Sequence, residues 1–272
     1  MTANRLQELC ELVSAAKVYD LAQPLEAQIP VSMNHPGFRM ALLRRHGDMI
    51  RADGGSAANE LMVMGGHTGT HLDALCHVSH NGKLFGDQDA LSAQSGGRFL
   101  VHGIETVAPI LCRGVMLDIP ALLGAEVLDP GTPITAAHLD AAAKRQAVEV
   151  RAGDAVLVRS GWCRYWTDPE LFLGLKQGAP GPDESAARWL AEHKVKITGA
   201  ETIAYECIPG SRGHALLPVH RILLVERGIY IMEAMNLADL ARDQVFEFLF
   251  VLTPIKVVGA TGVPVRPIAV RA

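Results

Sequence analysis

A mixed α/β fold is predicted for this chain of 272 residues, on three observations. Segments of helical period alternate with short β-rich runs, apolar residues make up 49% and charged residues 20%, and no stretch has the composition of a linker. A chain of this length can bury one large core, so residues 1–272 are read as a single domain.

Leu6, Leu9, Cys10 and Val13 recur at helical spacing and predict an amphipathic helix over residues 4–16, followed by a strand at Val18–Leu21. Residues 23–55 contain Pro24, Pro30, Pro36 and several glycines, which predicts a long irregular excursion with one strand near Arg39–Arg44. Loops of that length tend to cover sites or to cross between subunits. Glu60–Gly66 reads as a strand running directly into a histidine-rich segment. Gly114–Ile119 and Ala155–Ser160 are β-rich, and between them Thr135 can cap a helix through Gln146. After Gly181-Pro182, Asp183-Glu184 opens a helix with Ala186, Trp189, Leu190 and His193 on one face, and Lys196–Gly199 begins the next strand. Pro218 starts a last helix, Ile229–Glu233 is a strand, and Val245–Val258 is β-rich but interrupted by Pro254.

The formal net charge of −4 is spread along the chain, giving no footprint for nucleic acid or for an anionic membrane. No apolar run is long enough to span a bilayer, and the first residues lack the apolar core of a secretory signal, so the expected location is the cytoplasm. Neither a P-loop nor GxGxxG is present, which leaves nucleotide cofactors without support and a small molecule as the expected partner. Cys10, Cys76, Cys112, Cys163 and Cys207 are scattered and form no CxxC pair, arguing against disulfides and zinc ribbons. They read as small buried hydrophobes, although Cys76 lies inside the histidine run, where a nucleophile is conceivable, and Cys207 adjoins Glu206.

The histidine run carries the chemistry. His67, His71, Asp73 and His77 are separated by 4, 2 and 4 residues, so an extended start would project the first three from one face, with Gly69 leaving room for an ion between them. A lone histidine would read as a hydrogen-bonded core residue; four ligand-type side chains in register read as a metal site. Two imidazoles and a carboxylate form a three-ligand set open to water, suited to zinc or manganese and able to activate water and polarise a carbonyl. His77, four residues past Asp73, is assigned as general base and then general acid.

A second group, in His214–His220 and Ile231–Asn236, offers His220 and Glu233 to a second ion or to the substrate. His35, His46, His80, His102, His138 and His193 receive a structural or surface reading, with His80 nearest the run. Any aromatic contact to substrate is expected from Trp162, Trp166, Phe85 or Phe38. These residues leave open a hydrolase, a lyase or cyclase, and a binding protein that uses the metal without catalysis.

The run resembles the signature HxGTHxDxPxH of the cyclase family of metal-dependent hydrolases, which includes kynurenine formamidase and isatin hydrolase. His67-Thr68-Gly69-Thr70-His71-Leu72-Asp73 and His77 match it, and Leu75 stands where proline is usual. Similarity extends to Tyr19-Asp20-Leu21, Val158-Arg159-Ser160-Gly161-Trp162, Pro180-Gly181-Pro182 and Pro264-Val265-Arg266. The resemblance implies a swivelling β/β/α fold of mixed sheets and flanking helices, in homodimers or homotetramers. It further implies metal ligands at His67, His71 and Asp73 and acid/base catalysis by His77. In the formamidase branch a later His and Glu, here His220 and Glu233, bind a second zinc; isatin hydrolases use one manganese and a serine in place of the Glu. The implied activity is hydrolysis of an amide C–N bond in an isatin-like lactam, a γ-lactam or an aryl formamide, with one or two ions.

Overall fold

The computed structural model describes residues 3–210, 213 and 216–272; His214 thus lies outside the described residues. Four strands, Ile110–Asp118, Ala155–Arg159, Ile197–Ala200 and Tyr230–Glu233, run parallel and in chain order through the middle of a nine-stranded sheet. Ala155–Val158 and Ile197–Ala200 are buried along their whole length, as parallel strands covered on both faces must be. Antiparallel strands extend the sheet at both sides. Glu247–Leu252, Ile268–Arg271 and Lys17–Asp20 follow beyond Ile110–Asp118, while His71–Asp73 and Gly262–Pro264 follow beyond Tyr230–Glu233.

Strand alternation divides the core into two layers. Val115, Leu117, Val156, Val158 and Ile231 pack under the helices Ala136–Arg145 and Glu184–Glu192 through Leu139, Ala142, Ala186 and Leu190. Met116, Leu157, Ile197, Met232 and Phe250 belong to the opposite layer, with Leu72, Val263 and Leu237. Each such large side chain contributes about 2 kcal/mol on burial. The first helix starts at Thr135, whose hydroxyl accepts from the His138 N–H at 3.3 Å while the His138 ring accepts from the Thr135 N–H at 3.2 Å. Asp183 caps the second by accepting from the Ala186 N–H at 3.0 Å. Both predicted starts stand.

Other expectations change. The strand predicted over Glu60–Gly66 spans Asn59–Val63 and pairs with Arg39–Arg44 as a separate hairpin, so it does not run into the histidines. The β-rich run at Val245–Val258 ends at Leu252, before Pro254, and two short strands that periodicity does not predict, Gly262–Pro264 and Ile268–Arg271, complete the sheet. The opening helix forms over Ala3–Ala15, yet Leu6, Leu9, Leu12 and Val13 are exposed. Among the described residues, no helix is long and apolar enough to cross a membrane.

The carboxyl ends of the parallel strands are held together by Glu201, which is fully buried. Its Oε2 accepts backbone N–H groups of Ser160 at 2.8 Å, Gly161 at 2.5 Å and Trp162 at 3.2 Å, and the Ser160 hydroxyl at 3.2 Å. Glu201→Ala leaves those donors buried without an acceptor, and is expected to lower unfolding stability by about 3 kcal/mol in denaturant titration. A loss below about 1 kcal/mol would show that the turn is held by other contacts.

Candidate metal centre

His67–Thr70 bend and only His71–Asp73 form a strand, so the expected order of strand followed by loop is reversed around the first histidine. Gly69 explains the bend. Its φ of +63° lies in the left-handed region, and a Cβ there would come 2.4 Å from Leu25 Cδ2. The glycine is therefore required by the turn and by Leu25, and the expected room for an ion is not its role. Its carbonyl accepts from His71 Nδ1 at 2.8 Å, which turns His71 Nε2 inward.

Sheet register assembles the rest. His71 lies directly opposite Glu233, so both side chains leave the same face, and His71 Nε2 is 3.1 Å from Glu233 Oε2 and 3.5 Å from Asp73 Oδ1. His67 comes back from the bend to place Nδ1 2.8 Å from Asp73 Oδ1, with Nε2 2.9 Å from the Thr261 hydroxyl. Its ring lies so close to the edge strand that a Cβ on Gly262 would stand 2.6 Å from His67 Cε1. His220 arrives on the helix that Pro218 opens, with Nε2 3.1 Å from Glu233 Oε1 and 3.6 Å from Asp73 Oδ2. The five predicted ligand residues thus meet in two groups, His67/His71/Asp73 and Asp73/His220/Glu233, each with donor atoms within 4.8 Å of one another and all buried.

The charges fit a cation. Burial would lower the basicity of His71, but the Glu233 hydrogen bond and the charges of Glu233 and Asp73 outweigh it and raise its pKa to about 9. His220 is held well above its ordinary value by Asp73, Glu206 and Glu233 despite burial. Burial would raise Asp73, yet His77, His67 and His220 hold its carboxyl well below the usual range. Glu233 is lowered too, because hydrogen bonds from His220 and His71 outweigh burial and the neighbouring Asp73. Two buried carboxylates demand positive charge between the imidazoles, which protons or a divalent ion can supply. Among the described residues, His71 Nε2 and Asp73 Oδ2 are buried and make no well-formed hydrogen bond. Since the Gly69 carbonyl takes the Nδ1 proton of His71, the lone pair of neutral His71 faces carboxylate oxygens, an arrangement that a metal ion satisfies.

A cavity of about 280 Å³ opens onto the cluster. His77 lines it, belongs to neither ligand group, and stacks on His67 with ring centroids 3.9 Å apart. Burial, with the neighbouring His67 and His220, pushes its pKa down to about 4 against the opposing Asp73, so the ring is neutral near pH 7. Ser32, Asn34 and His35 form the facing wall, and His35 stacks on His67 at 5.0 Å. His35, read from sequence as structural or surface, thus lies at the cavity. The expected aromatic contacts also fail: Phe38, Trp162 and Trp166 pack into a buried cluster behind Ile203 and Ala204, while Phe85 packs near Gly228 and His102. Cys76 is buried and its thiol is pushed up to about 12, so it is no nucleophile at neutral pH. Glu206 and Thr261, which hold His220 and His67, escape sequence reasoning. Their faint signals are an acid flanked by apolar residues in Ala204–Ile208 and the run of small residues Gly259–Gly262.

Known proteins of this shape share the sheet. A crystal structure described as a novel cyclase superposes with a TM-score of 0.84 at 28% identity, covering 99% of this chain and 93% of that one. An isatin hydrolase of Roseibium aggregatum is 26% identical over 223 residues, 80% of this chain and 76% of that protein. A kynurenine formamidase of Geobacillus thermodenitrificans is 24% identical over 248 residues, covering 91% and 94%. The family model described as "Putative cyclase" matches residues 19–207, a span that takes in the histidine run, the parallel strands Ile110–Asp118, Ala155–Arg159 and Ile197–Ala200, and Glu206, and the chain belongs to that cyclase family.

Proposed function

We propose that this protein is a metal-dependent hydrolase that opens an amide C–N bond in a small lactam, isatin-like ring or aryl formamide. The observation that carries the reading is the buried cluster of three imidazoles and two carboxylates, in which His71 Nε2 and Asp73 Oδ2 make no well-formed hydrogen bond among the described residues. His67, His71 and Asp73 would hold one ion, and Asp73, His220 and Glu233 a second, with Asp73 shared. Nitrogen and oxygen donors without thiolate suit zinc or manganese. Similarity to an isatin hydrolase and a kynurenine formamidase supports this choice of bond.

Such an ion brings the pKa of water toward neutrality and polarises the substrate carbonyl. Neutral His77 takes the proton of the attacking water, then returns it to the amide nitrogen, which must be protonated to leave as an amine. Ser32, Asn34 and His35 line the cavity with groups that would hydrogen-bond the part of the substrate that does not react. Burial of the cluster keeps competing bulk water from weakening these interactions.

The chain is read as a single domain, 1–272, because its first strand pairs with its last and the ligand groups draw on residues from 67 to 233. All five cysteines are unpaired, which suits the cytoplasm. The hairpin Arg39–Arg44/Asn59–Val63 supports a homodimer or homotetramer: Met40, Leu42, Leu43, Leu61, Met62 and Val63 are each half or more exposed. An isolated two-stranded ribbon is barely stable, and such an apolar patch is best covered by a second copy of the chain.

Exhaustive chelation is expected to abolish hydrolysis across isatin, N-formylkynurenine and bicyclic γ-lactams, with recovery on adding zinc or manganese; full activity of metal-free protein would sink the mechanism. His77→Ala should lower kcat by about two to four orders of magnitude while elemental analysis finds the metal unchanged. Lost metal would instead make His77 a ligand. Light scattering should find a dimer or tetramer, and the double substitution Leu61→Glu, Met62→Glu should shift it to monomer; an oligomer of unaltered mass would exclude the hairpin as the interface.

A further inference from the structure

Three histidines of the cluster are each held at the nitrogen remote from Asp73 and Glu233, but by different groups. His71 donates to a backbone carbonyl, His67 meets the Thr261 hydroxyl, and His220 Nδ1 lies 2.7 Å from Glu206 Oε1. Of these three anchors only Glu206 carries charge.

Glu206 is 2% exposed and lies outside both ligand groups. Its Oε1 also accepts the His220 backbone N–H at 2.9 Å, and its Oε2 accepts that of Val219 at 3.1 Å. These N–H groups belong to the first turn of the helix opened by Pro218, where no intrahelical acceptor exists. The carboxylate is therefore fixed before it meets the imidazole. An ionised carboxylate accepts and cannot donate, so Glu206 keeps a proton on His220 Nδ1, and a neutral His220 with an ion in place of its other proton would turn the Nε2 lone pair toward Asp73 and Glu233. A hydroxyl such as Thr261 can donate or accept and imposes no such choice on His67.

We infer that Glu206 is a positioning residue that fixes the tautomer of His220 and so sets the affinity of the ion held by Asp73, His220 and Glu233. The inference rests on the two-ion reading above. It separates the two ions energetically: removing the Glu206 charge weakens the site that contains His220 and spares the site made by His67, His71 and Asp73.

The test uses holoenzyme dialysed against graded chelator buffers, reading zinc or manganese per chain, with long-range ¹H–¹⁵N spectra of the histidine rings. Wild type should hold two ions and show His220 protonated at Nδ1. Glu206→Gln should release one ion at about 10- to 100-fold lower chelator strength, with the other unchanged and the His220 tautomer mixed or reversed. Two ions retained at wild-type affinity in Glu206→Gln overturns the inference alone, and loss of both ions together assigns Glu206 a merely structural part and overturns it as well. A wild type holding fewer than two ions overturns the two-ion reading and the inference with it. If Glu206→Gln does not fold, Glu206→Asp is read the same way: its shorter carboxylate keeps the charge, and a smaller, selective loss of the same ion is expected.

Discussion

Asp73 sits at zero solvent exposure with His67, His71 and His220 around it, and every other feature of the site depends on stabilising that buried charge. A carboxylate taken from water into a protein interior costs several kcal/mol unless positive charge and hydrogen bonds replace its hydration. Asp73 could not be removed from the set without leaving three imidazoles facing one another. Glu233 brings a second negative charge to the same place, which makes the cluster anionic when its histidines are neutral. An anionic, buried set of nitrogen and oxygen donors is a poor structural element and a good host for a divalent ion.

The sheet delivers these groups in a way that local sequence could not. Glu233 ends a parallel strand, and ligands in such sheets gather at the carboxyl ends of the strands. His71–Asp73 then pairs antiparallel with that end, so residues more than a hundred positions apart become direct neighbours. A slip of one residue in this pairing would send His71 and Asp73 into the layer of Met232 and Val263, and Leu72 into the site. Leu72, fully buried between Met232 and Val263, opposes that slip with its own hydrophobic contribution. The core and the site are thus specified by the same alternation.

That division explains what could be read in advance. His67, His71, Asp73 and His77 were legible because one short stretch holds them, and the capped helices at Thr135 and Asp183 because their signals are local. The path between the histidines was not: a bend at Gly69 replaces the expected extended start, since Leu25 packs where a side chain would stand. His220 and Glu233 stood out in the sequence only as a weak second group that the family resemblance strengthened, and the structure supplies the register that sets Glu233 against His71. Glu206, Thr261 and Gly262 act across long stretches of chain and leave little trace in composition or period. Strands of three or four residues, such as Gly262–Pro264 and Ile268–Arg271, are too short for alternation to reveal.

The cluster and the cavity wall facing it are under different constraints, and this bears on how relatives of 24% and 26% identity can be named for different substrates. His71, Asp73 and Glu233 are fixed by ladder pairing, so replacing their backbone positions would disrupt the sheet. Ser32, Asn34 and His35 lie on an excursion outside any ladder, turned by bonds to Ser32 from the His35 N–H (carbonyl, 2.9 Å) and the Asn34 N–H (hydroxyl, 3.5 Å). Substitution there changes the wall facing the reacting centre and leaves the cluster's own bonds intact. His35 is the exception within that wall, because its stack on His67 couples the loop to the histidine cluster. Substrate preference in this fold can therefore vary on the excursion while the bond chemistry stays with the sheet, and His35 is the point at which the two meet.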